Sequence, residues 1–128
     1  MSYLSVYLLD YLGVPLNHHS IFVKDAKDET EFVFYVIGNI QMGCIFEVRR
    51  QESDPRLSAT FKKMTQIGVI AANDTPRFRT VCESNPPPKK QFNGIKRVDP
   101  KKPLRRCQDW ERETIDILLE QGVLLNAS

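Results

Sequence analysis

Five short stretches rich in aromatic and aliphatic residues fill the first part of the chain, and they constrain the fold more than any other feature. Each is bounded by polar, glycine-containing or proline-containing segments, which is typical of β-strands. The pattern predicts strands at Ser2–Asp10, His18–Lys24, Glu31–Ile37, Gly43–Arg50 and Thr60–Ala71. The second and third of these form a predicted hairpin, and the fourth extends it into an antiparallel meander.

Two helices are predicted after the strands. A short one covers Thr75–Glu83, with proline at its first turn. The last begins near Leu104 or Arg105 and ends at Gln121, before a glycine stop signal. Its apolar side, with Trp110 at its centre, should pack on the sheet. We therefore predict one α+β domain over residues 1–128, with an antiparallel sheet of four to six strands, a short helix and a C-terminal helix packed on the sheet.

Composition excludes several classes of protein. The chain has 128 residues, of which 41% are hydrophobic and 27% charged, as expected of one globular domain. The longest apolar stretches fall far short of the roughly 20 residues that a membrane span needs. The N-terminus lacks the basic region and cleavage site of a secretory signal, so we expect a cytoplasmic protein.

The cysteines and histidines set limits on cofactors. Three cysteines cannot all pair, and none has metal-site spacing, so free thiols are expected, with Cys44 and Cys82 as packed structural thiols. The two histidines are adjacent and diverge on a strand, which excludes a metal site built on both. No cofactor is predicted.

Basic residues are concentrated in one segment. Lys89–Arg106 holds eight of them against a single acid, Asp99, although the net charge of the chain is only +2. The segment is interpreted either as a solvated surface or as a lid that selects an acidic substrate. We favour the solvated surface and expect no nucleic-acid partner, because Phe92 alone does not supply interleaved aromatic residues.

Cys107 is the strongest candidate nucleophile. It should lie in the first turn of the last helix, where unpaired NH groups and the helix dipole favour an anion such as a thiolate. Arg105 and Arg106 precede it directly. The same NH groups suit an oxyanion. The alternative is that Cys107 is a small hydrophobic residue at a helix edge.

His18 and His19 are candidate bases for this thiol. Adjacent strand residues point to opposite faces of a sheet, so only one of them can face the helix. An imidazole within hydrogen-bond reach would activate the nucleophile. A surface histidine at a strand entrance is the alternative.

The histidine strand and the cysteine helix resemble those of a known group. His18–Val23 and Arg106–Trp110 are similar to motifs of the circularly permuted NlpC/P60-like thiol enzymes, which include lecithin retinol acyltransferase-like and PPPDE-type proteins. In that group the histidine strand comes first and the cysteine helix last, as here. The chain more closely resembles an uncharacterised fungal family of this permuted papain-like fold, on His18–Val23, Val36–Asn39 and Arg105–Trp110.

The resemblance implies roles for individual residues. Cys107 becomes the nucleophile and His18 the base, whereas His19 replaces an aromatic residue and, with Arg105 and Arg106, is assigned to substrate binding. Tyr35 is the nearest match to the residue that orients the histidine.

Four further residues have open or structural roles. Asn39 and Gln41 are alternatives to Tyr35 as the orienting residue. Gln108 is interpreted either as an oxyanion contact or as an exposed helical residue, and Asp109 is favoured as a helix-start residue over a catalytic one.

The resemblance also implies an activity. We predict a cysteine-dependent hydrolase or acyltransferase that acts on an amide, ester or thioester of a small-molecule or peptide-like substrate. The alternative is a non-catalytic member of the fold that binds a small ligand or a protein partner. Rapid alkylation of Cys107 that depends on His18 would favour the enzyme.

Overall fold

A five-stranded antiparallel sheet forms the centre of the molecule. The computed structural model describes residues 2–13, 18–24, 31–51 and 54–126. The strands are β1 (Tyr3–Tyr11), β2 (His18–Lys24), β3 (Glu31–Asn39), β4 (Gly43–Arg50) and β5 (Phe61–Ala71), and their order in the sheet is β4-β3-β2-β1-β5. The predicted meander of β2, β3 and β4 is confirmed. In addition, β1 pairs with β2, and β5 returns to pair with the free edge of β1.

Side chains of the sheet alternate between two apolar faces. Val6, Ile21 and Phe34 belong to the main core, on the side of the helices. Leu9, Phe22 and Val33 form a second buried cluster on the opposite side. The middle strands therefore bury residues on both faces, because their sequence is apolar at consecutive positions.

Two helices pack on the main core, which confirms the predicted α+β class. They are α1 (Thr75–Ser84) and α2 (Cys107–Glu120), and α2 contacts β2, β3 and α1. Helix α2 begins at Cys107, two residues after Arg105, which was the later of the two predicted starts. Arg106 has an extended backbone (φ −114°, ψ 176°), and its NH donates to Asp109 Oδ2 at 2.8 Å. Cys107 is therefore the first helical residue, and Asp109 caps the helix start.

Trp110 anchors α2 to the rest of the molecule, as predicted. Its side chain is 1% exposed, and its ring lies 5.7 Å from that of Phe46 on β4. The indole Nε1 donates to the Asn85 carbonyl oxygen at 2.8 Å. The Asn85 amide in turn donates to the Thr114 hydroxyl at 2.9 Å. This exchange ties the end of α1 to α2.

The segment between the helices has some regular structure, contrary to the predicted loop. A small hairpin pairs β6 (Phe92–Asn93) with β7 (Lys96–Arg97), and the Arg97 guanidinium lies 5.8 Å from the Phe92 ring centroid.

After α2, the chain returns to the sheet, where Leu125 and Val69 exchange two backbone hydrogen bonds of 2.8 Å. Neither α1 nor α2, the helices of the described ranges, combines the length and apolar character required to cross a bilayer.

At Gly38 the β3–β4 turn depends on glycine. Its φ is +133°, and a Cβ there would overlap the carbonyl oxygen of Gly43. Gly38→Ala is therefore expected to lower the free energy of unfolding by about 2 to 3 kcal/mol, measured by urea denaturation.

Gly94→Ala is the matched control for this prediction. Gly94 has φ +62° with open space around it, so its replacement should cost only about 1 kcal/mol. Equal losses for the two variants would contradict the steric argument.

Candidate active site

Cys107 faces the sheet from the start of α2. Its side chain is half-buried and packs against the main core. Its Sγ lies 3.8 Å from the Sγ of Cys44, the second residue of β4. Cys107 occupies the first position of the helix, where backbone NH groups have no partner within the helix.

Cys44 is part of the site, although the sequence predicts only a packed thiol. Burial, followed by the charge and hydrogen bond of Cys107, raises the pKa of the Cys44 thiol to about 12. Cys44 is therefore a protonated thiol at neutral pH, and it lies within hydrogen-bond distance of the Cys107 sulfur. The two residues are 63 positions apart in the chain, so no local sequence signal links them.

The histidine that faces α2 is His19. Its Nδ1 lies 3.5 Å from Glu111 Oε1 on α2, and its Nε2 lies 3.3 Å from Asp10 Oδ1 on β1. Because side chains alternate along β2, His18 points to the opposite face, where it is exposed and opposite Tyr11 in register. The structure thus brings His19, and not the predicted base His18, to the helix that carries Cys107.

Glu111 is a buried acid that the sequence interpretation missed. It is 3% exposed, and burial together with the charge of Asp10 raises its pKa to about 9. Glu111 is therefore protonated at neutral pH. Its sequence signal is a carboxyl group on the apolar side of α2, four residues after Cys107 and in line with Thr114 and Leu118.

Glu111 and Cys107 occupy the same side of α2, one turn apart, which corresponds to about 6 Å along the helix axis. A cavity of about 260 Å³ lies beside this turn, and His19, Gln108, Glu111 and Ile115 are among its lining residues. Gln108, the candidate oxyanion contact, is thus on the same side of the helix as the imidazole.

The predicted orienting residues lie elsewhere. Tyr35 belongs to the second buried cluster, on the sheet face away from α2, and its hydroxyl donates to Glu47 Oε2 at 2.6 Å. Asn39 Oδ1 accepts the backbone NH groups of Gln41 and Met42 in the β3–β4 turn. The groups that contact the His19 imidazole are the carboxyl groups of Asp10 and Glu111.

Arg105 and Arg106 differ in their surroundings. The Arg105 guanidinium donates to Glu113 through Nε at 3.1 Å and Nη2 at 2.6 Å, and to Asn85 Oδ1 at 3.0 Å. The hydrogen bonds from Arg105 to Glu113 lower the pKa of the Glu113 carboxyl group. The positive charge of Arg105 is therefore already balanced, whereas Arg106 contributes its backbone to the helix cap.

A larger cavity of about 690 Å³ lies within the basic segment and is also lined by Asn85 and Glu113. Lys89, Lys90, Lys102 and Arg105 are among its lining residues. Its volume lies within the range of small-molecule sites. Throughout the described ranges, no group of three His, Cys, Asp or Glu side chains is arranged to hold a metal ion.

The fold and this geometry define an α+β protein with a thiol pair at a helix start and an imidazole held between two carboxyl groups. Residues 6–125 match a family of unknown function, DUF6540, and the chain belongs to that family. No curated protein and no solved structure matches the chain.

Proposed function

We propose that the protein is a cysteine-dependent hydrolase or acyltransferase of the permuted NlpC/P60-like type, with Cys107 as nucleophile and His19 as base. The observation that carries this proposal is the placement of Cys107 at the first position of α2, above the sheet face on which His19 lies. The substrate class is an amide, ester or thioester.

In this mechanism Cys107 transfers its thiol proton to His19, and its sulfur attacks the carbonyl carbon. The carbonyl oxygen becomes negatively charged and is stabilised by NH groups of the first turn of α2. The imidazolium then protonates the leaving group, and an acyl-enzyme forms. Water or an amine attacks the acyl group, His19 accepts the proton of that nucleophile, and the Cys107 thiolate leaves.

The carboxyl groups around His19 support this proton transfer. The negative charge of Asp10, 3.3 Å from Nε2, stabilises the imidazolium formed in the first step. The imidazole contacts Glu111, which is one helical turn beyond Cys107, so the proton passes through a bridging water or after rotation of the imidazole away from Glu111. The Cys44 thiol lies within hydrogen-bond distance of the Cys107 sulfur.

Hydrolysis of an activated ester such as p-nitrophenyl acetate tests these roles. Cys107→Ser should abolish the release of p-nitrophenol, and His19→Ala should slow it by about 10²-fold to 10⁴-fold, as expected for loss of a general base. Iodoacetamide should also modify Cys107 faster than Cys82, which is fully buried and whose pKa is raised to about 12.

His18→Ala is the matched control, because His18 is adjacent in sequence but lies on the other sheet face. It should change the rate by less than about twofold. A large loss in His18→Ala with none in His19→Ala would assign the base to His18 instead, and unchanged hydrolysis in Cys107→Ser would refute the enzyme.

A second candidate function is non-catalytic binding of a small acidic ligand. It is favoured by the cavity of about 690 Å³ and the lysine side chains of Lys89, Lys90 and Lys102 that line it. Slow, equal alkylation of all three cysteines, combined with saturable binding of an organic phosphate or carboxylate, would support this function over the thiol enzyme.

A further inference from the structure

Cys44 and Cys107 form a pair of thiols positioned for reversible oxidation. Their sulfurs are 3.8 Å apart, and a disulfide requires about 2.0 Å, so side-chain rotation has to close a gap of only about 2 Å. Each cysteine lies at the beginning of a regular element, Cys44 on β4 and Cys107 on α2. Neither residue is closed off from solvent, since both are half-buried, whereas Cys82 is fully buried.

We propose that Cys44 is a resolving cysteine that converts oxidised Cys107 into an intramolecular disulfide, with a peroxide as the oxidant. Disulfide formation is independent of the proposed hydrolase or acyltransferase. Its effect on activity rests on that proposed function, because the disulfide removes the nucleophile.

The two sulfurs have different roles in the reaction. The Cys107 thiolate attacks one oxygen of hydrogen peroxide, the O–O bond breaks, and hydroxide leaves, so the Cys107 sulfur loses two electrons and becomes a sulfenic acid. Cys44 sulfur then attacks the Cys107 sulfur, the S–O bond breaks, and water leaves with the Cys44 proton. In total, two thiols and one peroxide give one disulfide and two water molecules.

The surroundings of the pair favour this order of events. Cys107 lies half-buried at the first position of α2, beside the unpaired NH groups of the helix start, and we take it as the sulfur that peroxide oxidises first. Burial and the neighbouring sulfur raise the pKa of Cys44 to about 12, so Cys44 stays a thiol until a sulfenic acid forms beside it. Without Cys44, the Cys107 sulfenic acid would persist and oxidise further to sulfinic acid, which thiols do not reduce.

Peptide mapping after treatment with hydrogen peroxide tests the proposal. In the full chain, mass spectrometry should find a peptide pair joined through Cys44 and Cys107, an intact mass lower by two hydrogen atoms, and Cys82 still open to alkylation after unfolding. Dithiothreitol should reverse the change. Cys82→Ser should form the same disulfide, as the matched control variant.

Trapping of the sulfenic acid with dimedone provides a second measurement. Cys44→Ser should accumulate at least tenfold more dimedone adduct at Cys107 than the natural sequence. Equal adduct in both proteins, a disulfide through Cys82, or only intermolecular disulfides would overturn the proposal. If Cys44→Ser does not fold, the peptide map of the natural sequence decides alone.

Ester hydrolysis, measured in parallel, separates this proposal from the proposed function. Both the thiol enzyme and the resolving role of Cys44 are supported if peroxide abolishes hydrolysis, dithiothreitol restores it, and the disulfide is mapped. A disulfide in a protein that never hydrolyses the ester refutes the enzyme and keeps the thiol pair. Hydrolysis without any Cys44–Cys107 disulfide refutes the resolving role of Cys44 and keeps the enzyme.

Discussion

Replacing Glu111 by glutamine is expected to raise the free energy of unfolding at pH 8 by about 2 to 4 kcal/mol, with little change at pH 5. The pKa of Glu111 is raised to about 9 in the folded protein by burial and by the charge of Asp10, against an ordinary value near 4.5. Between these two values the folded state holds a proton that the unfolded state has released. The contribution of Glu111 to the free energy of unfolding is therefore fully present below pH 4.5. It is lost as the pH rises towards 9, at up to about 1.4 kcal/mol per pH unit.

Glutamine resembles the protonated acid and has no such titration. Urea denaturation of both proteins at pH 5, 6, 7 and 8 should therefore show a difference in unfolding free energy that grows with pH. Glu113→Gln is the matched control on the same helix, because Arg105 lowers the pKa of Glu113. That variant should be less stable than the natural sequence at neutral pH, and a Glu111→Gln effect that is equal at every pH would contradict the raised pKa.

Trp110→Ala is expected to lower the free energy of unfolding by about 3 to 5 kcal/mol. The side chain is 1% exposed, contacts Phe46 and donates a hydrogen bond to Asn85, so its removal leaves a cavity and an unpaired carbonyl. Chemical denaturation at pH 7 measures the loss. Since Trp110 lies in the first turn of α2, we also expect faster alkylation of Cys44, which the helix start covers.

Two variants make the Trp110 prediction specific. Trp110→Phe keeps most of the apolar contact and loses the indole NH, so its cost should be smaller, about 1 to 2 kcal/mol. Met42→Ala removes a side chain that is 77% exposed, and it should change stability by less than about 0.5 kcal/mol. Equal losses for Trp110→Ala and Met42→Ala would contradict the anchoring role.

The fold was predictable from local patterns to a large extent. Short apolar stretches bounded by turn residues placed all five strands of the sheet, and the apolar stripe around Trp110 placed the packed face of α2. The start of α2 was harder to predict from the sequence. The usual signal for a helix start is a small polar side chain at the cap position, whereas here the cap residue is Arg106, whose backbone NH donates to Asp109. The β6–β7 hairpin is only two residues long on each side and has no periodicity to detect.

The candidate site was predictable only in part. The helix start identified Cys107, and the alternation of a strand showed that one histidine faces α2. The sequence could not show which histidine faces α2. Strand β2 buries Ile21, Phe22 and Val23 in succession, so both of its faces are apolar. The contacts of His19 with Asp10 and of Cys107 with Cys44 depend on strand register and helix docking, which are not local properties.

The return of the chain from α2 to β5 determines how far α2 can move. At its start, the helix is joined to Asn85 through Trp110, and beyond its end Leu125 is paired with Val69. A shift of α2 along the sheet must break hydrogen bonds at one of these two attachments. Cys107 is thus carried by a helix that is held at both ends. An approach of its sulfur to Cys44 therefore requires rotation of the side chains and no shift of the helix.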